Sequence, residues 1–258
     1  MSIHPSAIVD PRAEIAGDVE IGPFAVIEAG VQIGARCLIH GNAQLIGSVQ
    51  LGEGCEIGHG SVVGGLPQDL GFDRRTPSGV VIGPGNVIRE HNTIHRSTRE
   101  GENTTMGRDN YLMVGCHLAH DVVMGDSNIF ANNCLIAGHA ILGSGIFLGG
   151  GVGVHQFVRI GDRCMAQGHA GISQDLPPYA LVADINIVRG LNIVGMRRAG
   201  LSSESRLSVK EAYRLMYQAG LNLADALSAA DARDDWSPEA RTFIDFFRVP
   251  TKRGVCHP

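Results

Sequence analysis

Aliphatic residues recur along this chain at every sixth position. From position 3 the series runs Ile3, Val9, Ile15, Ile21, Ile27, Ile33, Ile39, Leu45, Leu51, Ile57 and Val63. It lapses over residues 64–81 and resumes at Ile82, Ile88 and Ile94. A second lapse falls at Arg99-Glu100-Gly101. The series then continues through Met106, Leu112, Leu118, Met124, Phe130, Ile136, Leu142, Leu148, Val154, Ile160, Ala166 and Ile172. A period of 18 lies over it, in Met106-Gly107, Met124-Gly125, Leu142-Gly143 and Ile160-Gly161. A helix repeats about every 3.6 residues and a lone strand about every two, so neither yields a strict six. Three short strands per turn, each sending one aliphatic side chain inward, do. Stacked about 4.8 Å apart, such coils bury a narrow axial core. The pattern predicts a mainly β fold, a parallel β-helix over residues 1–190 with an insertion loop at 64–81.

Beyond about residue 190 the six-residue pattern stops. Ser202–Tyr217 reads as a helix with Leu207, Ala212, Leu215 and Met216 as its apolar stripe. Leu223–Ala230 reads as a second, and Ser237-Pro238 opens a third that runs through Phe243 to Phe247, with Ser as N-cap and Pro at the first helical position. Residues 191–258 are therefore expected to form a small helical domain that caps the open end of the prism, where strand edges would otherwise lie unpaired.

Composition fits this reading. The chain holds only 8 Phe, 4 Tyr and 1 Trp, as a core too narrow for rings requires. Of its 35 glycines all but Gly220 and Gly254 fall in the first 200 residues, where corners need positive φ or close backbone approach. A net charge of −5 argues against a nucleic-acid binder with a broad basic face. No run approaches the roughly 18 apolar residues of a membrane span, and the opening MSIHPSAIVDP lacks the basic and apolar regions of a signal peptide. A cytoplasmic location follows as the expectation. Two cysteine pairs, Cys37/Cys55 and Cys116/Cys134, lie one coil apart. Without a secretory segment or a Cys-x-x-Cys motif, they are expected to be reduced, stacked small residues.

The candidate chemistry lies in histidines. His117, His120, His139 and His155 occupy the later coils. Adding 18 to His120 gives Gly138, beside His139, and adding 18 again gives Gln156, beside His155. The group therefore gathers near one edge of three successive coils. Three imidazoles could bind zinc; alternatively one neutral imidazole could act as a general base while the others position a polar substrate.

Several segments carry a specific resemblance. Ile94-His95-Arg96, His117-Leu118-Ala119-His120-Asp121, Ala137-Gly138-His139, Val154-His155-Gln156-Phe157 and Gln174-Asp175-Leu176-Pro177-Pro178-Tyr179 resemble those of the bacterial UDP-N-acetylglucosamine O-acyltransferase family, which performs the first acylation of lipid A synthesis. Gln68-Asp69-Leu70 matches the family's protruding loop, and Asn192 with Gly195-Met196-Arg197-Arg198 its junction with the helical domain. The resemblance implies a left-handed coil, a hand the period itself leaves open. It implies that His120 takes the proton of the sugar 3-hydroxyl, supported by Asp121, whose contact is expected to be indirect because strand neighbours point apart. The backbone N–H of Gly138 would stabilise the oxyanion. Gln68, Asp69, His117, His139, His155, Gln156, Asn192 and Arg198 would hold the sugar nucleotide, and Gly168 would leave the acyl-chain groove long. The donor would be acyl carrier protein, the acceptor a UDP-sugar, and neither cofactor nor metal would be needed. The cleft would lie between subunits of a homotrimer, with the Asp69 loop reaching toward a neighbour's histidines.

Gly71, Val194, Ala199 and Asp184 depart from the family's usual residues, all toward the nucleotide end. Arg197, Arg198, Arg206, Lys210 and Arg214 gather at the start of the helical domain, a surface suited to an acidic carrier protein. Three other readings compete with O-acyl transfer: N-acyl transfer to a 3-amino sugar nucleotide, a zinc hydratase of the carbonic anhydrase type, and an inactive scaffold.

Overall fold

The structure, a computed structural model, describes residues 2–258. The hexads fold into a left-handed parallel β-helix of triangular section. Its faces hold eleven, nine and eight strands, here called A, B and C. Most strands are two residues long, and the second is the hexad aliphatic, turned inward. On face B, Leu118, Ile136, Val154 and Ile172 stack in register; on face A, Leu112, Phe130, Leu148 and Ala166 do the same. All are buried.

Each coil advances by a corner whose second residue often adopts positive φ. Buried corners hold a polar ladder as well: Asn110 N–H donates to Asn86 Oδ1 at 2.9 Å and Asn128 N–H to Asn110 Oδ1 at 2.8 Å. Backbone groups that three short strands leave unpaired are satisfied in this way. The six cysteines are free and buried. Their thiols donate to carbonyls, Cys37 to Gly52 and Cys55 to Gly83 at 3.1 Å each.

The stack ends on strands as well as helices. Ala180–Ala183 adds to face A in parallel, and Ile187–Leu191 returns antiparallel beside it. The C-terminal tail then bridges Asp175 to Val255 and Ile187 to His257. Four helices follow the hairpin: α1 (Ile193–Arg198), α2 (Ser203–Gln218), α3 (Leu223–Asp231) and α4 (Pro238–Phe246). Ser202 and Ser237 cap α2 and α4 as their sequences suggest, each accepting from the backbone three residues on. Helix α1 has no apolar period and was not expected. Leu207 is 56% exposed, so it does not belong to the buried stripe of α2; Val209, Ala212 and Tyr213 do. Aromatic rings cluster among these helices, with Tyr213, Tyr217, Phe243 and Phe247 in contact.

Candidate active site

The corner between faces B and C carries the histidines. In three successive coils its two turn residues are His120-Asp121, Gly138-His139 and Gln156-Phe157. Asp121, His139 and Phe157 all adopt positive φ, 60°, 59° and 65°. They therefore form one column along the axis, and His120, Gly138 and Gln156 form another. A corner does not alternate as a strand does. For that reason Asp121 meets His120 directly, against the expectation of an indirect contact: His120 Nδ1 lies 2.8 Å from Asp121 Oδ2.

Asp121 is nearly buried, its side chain 7% exposed. Burial opposes its ionisation, but hydrogen bonds from Ser97, Thr98 and His120 outweigh burial and hold its carboxyl at about 2. An ionised carboxylate only accepts, so the shared proton resides on His120 Nδ1, and in the neutral ring the lone pair is on Nε2. His120 Nε2 faces Gly138. A Cβ added there would stand 2.8 Å from Nε2 and 2.6 Å from Cε1, closer than packed atoms approach. Glycine at 138 is thus a condition of the His120 ring position. Ser97 and Thr98 were not singled out from the sequence. The signal was present, because this coil spans 24 residues (Thr93 pairs with His117) and 97 lies 24 before 121.

His139 Nδ1 lies 3.6 Å from the same Asp121 oxygen, and its ring stacks on Phe157 at 4.6 Å with 3° between planes. Burial lowers the His139 pKa, Asp121 opposes that, and the charges of His120, Arg99 and Asp69 also act on it. His117 accepts or donates at Nδ1 with Thr93 Oγ1 at 2.7 Å. Burial, reinforced by His120, lowers its pKa too. Behind His117 lies His95, buried, edge-on at 4.7 Å, with Nδ1 unpartnered and its pKa lowered by burial to about 4.

A cavity of about 910 Å³ lies on face B, and its lining includes Gln68, His117, His120, Gly138, His155 and Gln156. Its floor continues over Gly153 and Gly171. The 66–78 loop is held over this corner by Arg96, which donates to the carbonyls of Thr76 and Arg74 and packs on Phe72. Gln68 therefore lines its own chain's cavity, and Asp69 caps the Gly71 N–H at 2.8 Å with its charge felt by His139. Within one chain the loop thus borders the cavity of its own histidines. Leu70 at its tip is fully exposed.

Asp69, Asp121 and His139 are not among the lining residues of this cavity, and three further expected site residues stand apart from it. Gly168 sits on the opposite corner, between faces A and B. Asn192 caps α1, accepting from Gly195 N–H and donating to Arg163 O, each at 2.9 Å. Arg198 ends α1 and is exposed. A hydratase site of three imidazoles is not formed either. Among the described residues the one group with metal-ligand spacing is His120, Asp121 and His139.

Fold and corner together define a hexapeptide-repeat acyltransferase. A family model described as bacterial transferase hexapeptide repeats matches residues 30–65, and one described as Udp N-acetylglucosamine O-acyltransferase, domain 2, matches residues 175–256. The chain is 40% identical to the acyl-(acyl-carrier-protein)–UDP-N-acetylglucosamine O-acyltransferase of Paraburkholderia phymatum, over 98% of both chains. Among solved structures it is similar to the UDP-N-acetylglucosamine O-acyltransferase of Moraxella catarrhalis, with TM-score 0.91, 36% identity and full coverage of both chains. The Francisella novicida UDP-N-acetylglucosamine acyltransferase gives TM-score 0.94 at 30% identity, over 99% of this chain and 94% of that one. The chain belongs to the UDP-N-acetylglucosamine O-acyltransferase family.

Proposed function

We propose that the protein transfers a fatty acyl group, of the 3-hydroxy class, from acyl carrier protein to the 3-hydroxyl of UDP-N-acetylglucosamine in the cytoplasm, opening lipid A synthesis. The observation that carries this reading is the His120 ring, anchored through Nδ1 by an ionised Asp121 and left with a free Nε2 facing Gly138.

His120 Nε2 takes the hydroxyl proton as the sugar oxygen attacks the thioester carbonyl. Asp121 stabilises the imidazolium that forms, a charge-assisted contact stronger than a neutral one. The oxyanion receives the Gly138 N–H, worth about 3–4 kcal/mol to the transition state. Collapse expels the carrier thiolate, which recovers the proton from His120. Gln68, Asp69, His117, His139, His155 and Gln156 hold the sugar. The acyl chain follows the glycine-lined floor of face B, and Gly168 on its far edge leaves that path open.

Asn192 and Arg198, remote from the cavity of their own chain, serve the nucleotide of a neighbouring subunit in a homotrimer. Outward apolar positions support this assembly: Ile129, Leu135, Ile141 and Phe147 are 38–54% exposed in one chain. The chain works as two units, the coil of 1–190 and the helices of 191–258. Arg197, Arg198, Lys210 and Arg214 are exposed, and none has an ion-pair partner among the described residues. They receive the acidic carrier protein. No helix is long and apolar enough to cross a membrane.

The test is acyl transfer by the purified chain, with 3-hydroxyacyl carrier protein and UDP-N-acetylglucosamine, read by product mass spectrometry. His120→Ala is expected to lower turnover about 10²–10⁴-fold with an unchanged melting curve. Full activity in that variant overturns the assignment.

A further inference from the structure

The corner that orients the base also presents a ligand set of another kind. His120 Nδ1 and His139 Nδ1 both face Asp121 Oδ2, at 2.8 and 3.6 Å. The three atoms lie within 4.8 Å of one another. Ligands about 2.0–2.1 Å from a tetrahedral zinc ion stand about 3.3 Å apart, between the two separations seen here. The carboxylate is supported as a metal-ligating carboxylate usually is, by outer hydrogen bonds: Ser97 donates to Oδ1, and Thr98 Oγ1 to Oδ2 at 2.6 Å. Each His side chain keeps some exposure, 14% and 20%, which gives an ion a way in.

We propose that His120, Asp121 and His139 form an inhibitory site for zinc, or another divalent ion that favours imidazole, on the side of His120 away from the substrate. The set suits borderline-soft ions; two nitrogens and one oxygen serve magnesium or calcium poorly. Binding acts through the tautomer. With no metal, the His120 proton sits on Nδ1 and the lone pair on Nε2. Coordination at Nδ1 replaces the hydrogen bond to Asp121 and moves that proton to Nε2. The imidazole stays neutral and no proton is gained or lost, but Nε2 becomes a donor and cannot accept the sugar hydroxyl proton. His139 is held by the same ion.

The inhibition rests on the acyl-transfer reading, whereas the binding does not, so the two are measured separately. Isothermal titration of zinc chloride into chelator-treated full-length protein, with neither substrate present, is expected to show one zinc per chain. Asp121→Asn and His139→Ala should each lose that binding, whereas His40→Ala, which alters a close histidine pair in the early coils (His40 and His59, 4.8 Å), should keep it. Circular dichroism confirms that each variant is folded. In the active wild type, saturating zinc is expected to cut turnover about 100-fold or more, reversed by EDTA, while magnesium does nothing. Zinc retained by folded Asp121→Asn, or bound by the wild type at no more than a trace, overturns the site. Stoichiometric binding with undiminished transfer overturns the tautomer mechanism. A wild type that fails to transfer acyl groups without zinc counts against the reaction and leaves the calorimetry standing.

Discussion

The first coils and the later ones share an interior and differ outside. In both, the second residue of most strands is an apolar side chain turned inward, buried from Ile21 onward, and the ladders superpose with a shift of 18. The outward residue is another matter. On the early coils it is polar and exposed at Glu14, Glu20, Gln32, Gln44 and Gln50, with Ile8, Val26 and Leu38 as the apolar exceptions. On the later coils five successive strands place an apolar residue there, Val123, Ile129, Leu135, Ile141 and Phe147. The corners diverge likewise: His120-Asp121 and Gly138-His139 stand in later coils where the first coils place Pro11-Arg12 and Ala29-Gly30. One scaffold thus carries a solvated end and an end built to be covered. The inward position dictates the coil, and the outward and corner positions dictate what the coil does.

The sharpest break of this contrast is Phe147→Glu. Phe147 lies between Ile129 and Met165 on face A, and if that face is covered by another subunit, the variant buries an unpaired charge at a cost of several kcal/mol. Light scattering should show the wild type as a trimer and the variant as smaller species. Acyl transfer should fall with assembly by more than tenfold, because Asn192 and Arg198 are remote from their own chain's cavity. A variant that remains trimeric removes face A from the interface.

What the residues reveal in advance follows the same division. The strict six and the caps Ser202 and Ser237 are local signals, and they place the coil and two helices. The direct His120–Asp121 contact escapes the two-residue alternation of a strand, because Asp121 sits at a corner with φ near 60°. Helix α1 has six residues, too short for periodicity to register. Ser97 and Thr98 become visible only once the coil from Thr93 to His117 is known to hold 24 residues rather than 18. The separation of Asn192, Arg198 and Gly168 from the cavity is a matter of chain path, which spacing alone does not encode.

A middle-sized effect comes from the layer beneath the site. His95 is buried with its Nδ1 unpartnered, and burial lowers its pKa to about 4, with His117 and His120 adding to the shift. The unfolded chain binds this proton below about pH 6.5, the folded one only near 4. Stability from this group is therefore full above about 6.5 and is lost as pH falls toward 4. His117 and His139, also lowered mainly by burial, act with the same sign. Asp121 contributes only at lower pH, between the ordinary carboxylate range and about 2. Thermal melts of wild type and His95→Gln between pH 7 and 4.5 should diverge, with the wild type losing on the order of 1–3 kcal/mol more. Parallel curves would mean that His95 finds a partner or water in solution.

The smallest effect belongs to the solvated end and is the needed counterweight. Gln32 donates to Glu14 across adjacent coils at 3.1 Å, and both side chains are exposed. Such a contact exchanges water for protein at little gain, and an exposed substitution of this kind is expected within about 0.5 kcal/mol of neutral. Gln32→Ala should therefore leave the urea midpoint, the oligomeric state and acyl transfer as they are. A loss above about 1 kcal/mol, or any change in assembly, would mean that the early coils are also covered. The division between the two ends would then be one of chemistry alone, since glutamine and glutamate would be lining an interface that the apolar positions of the later coils were thought to monopolise.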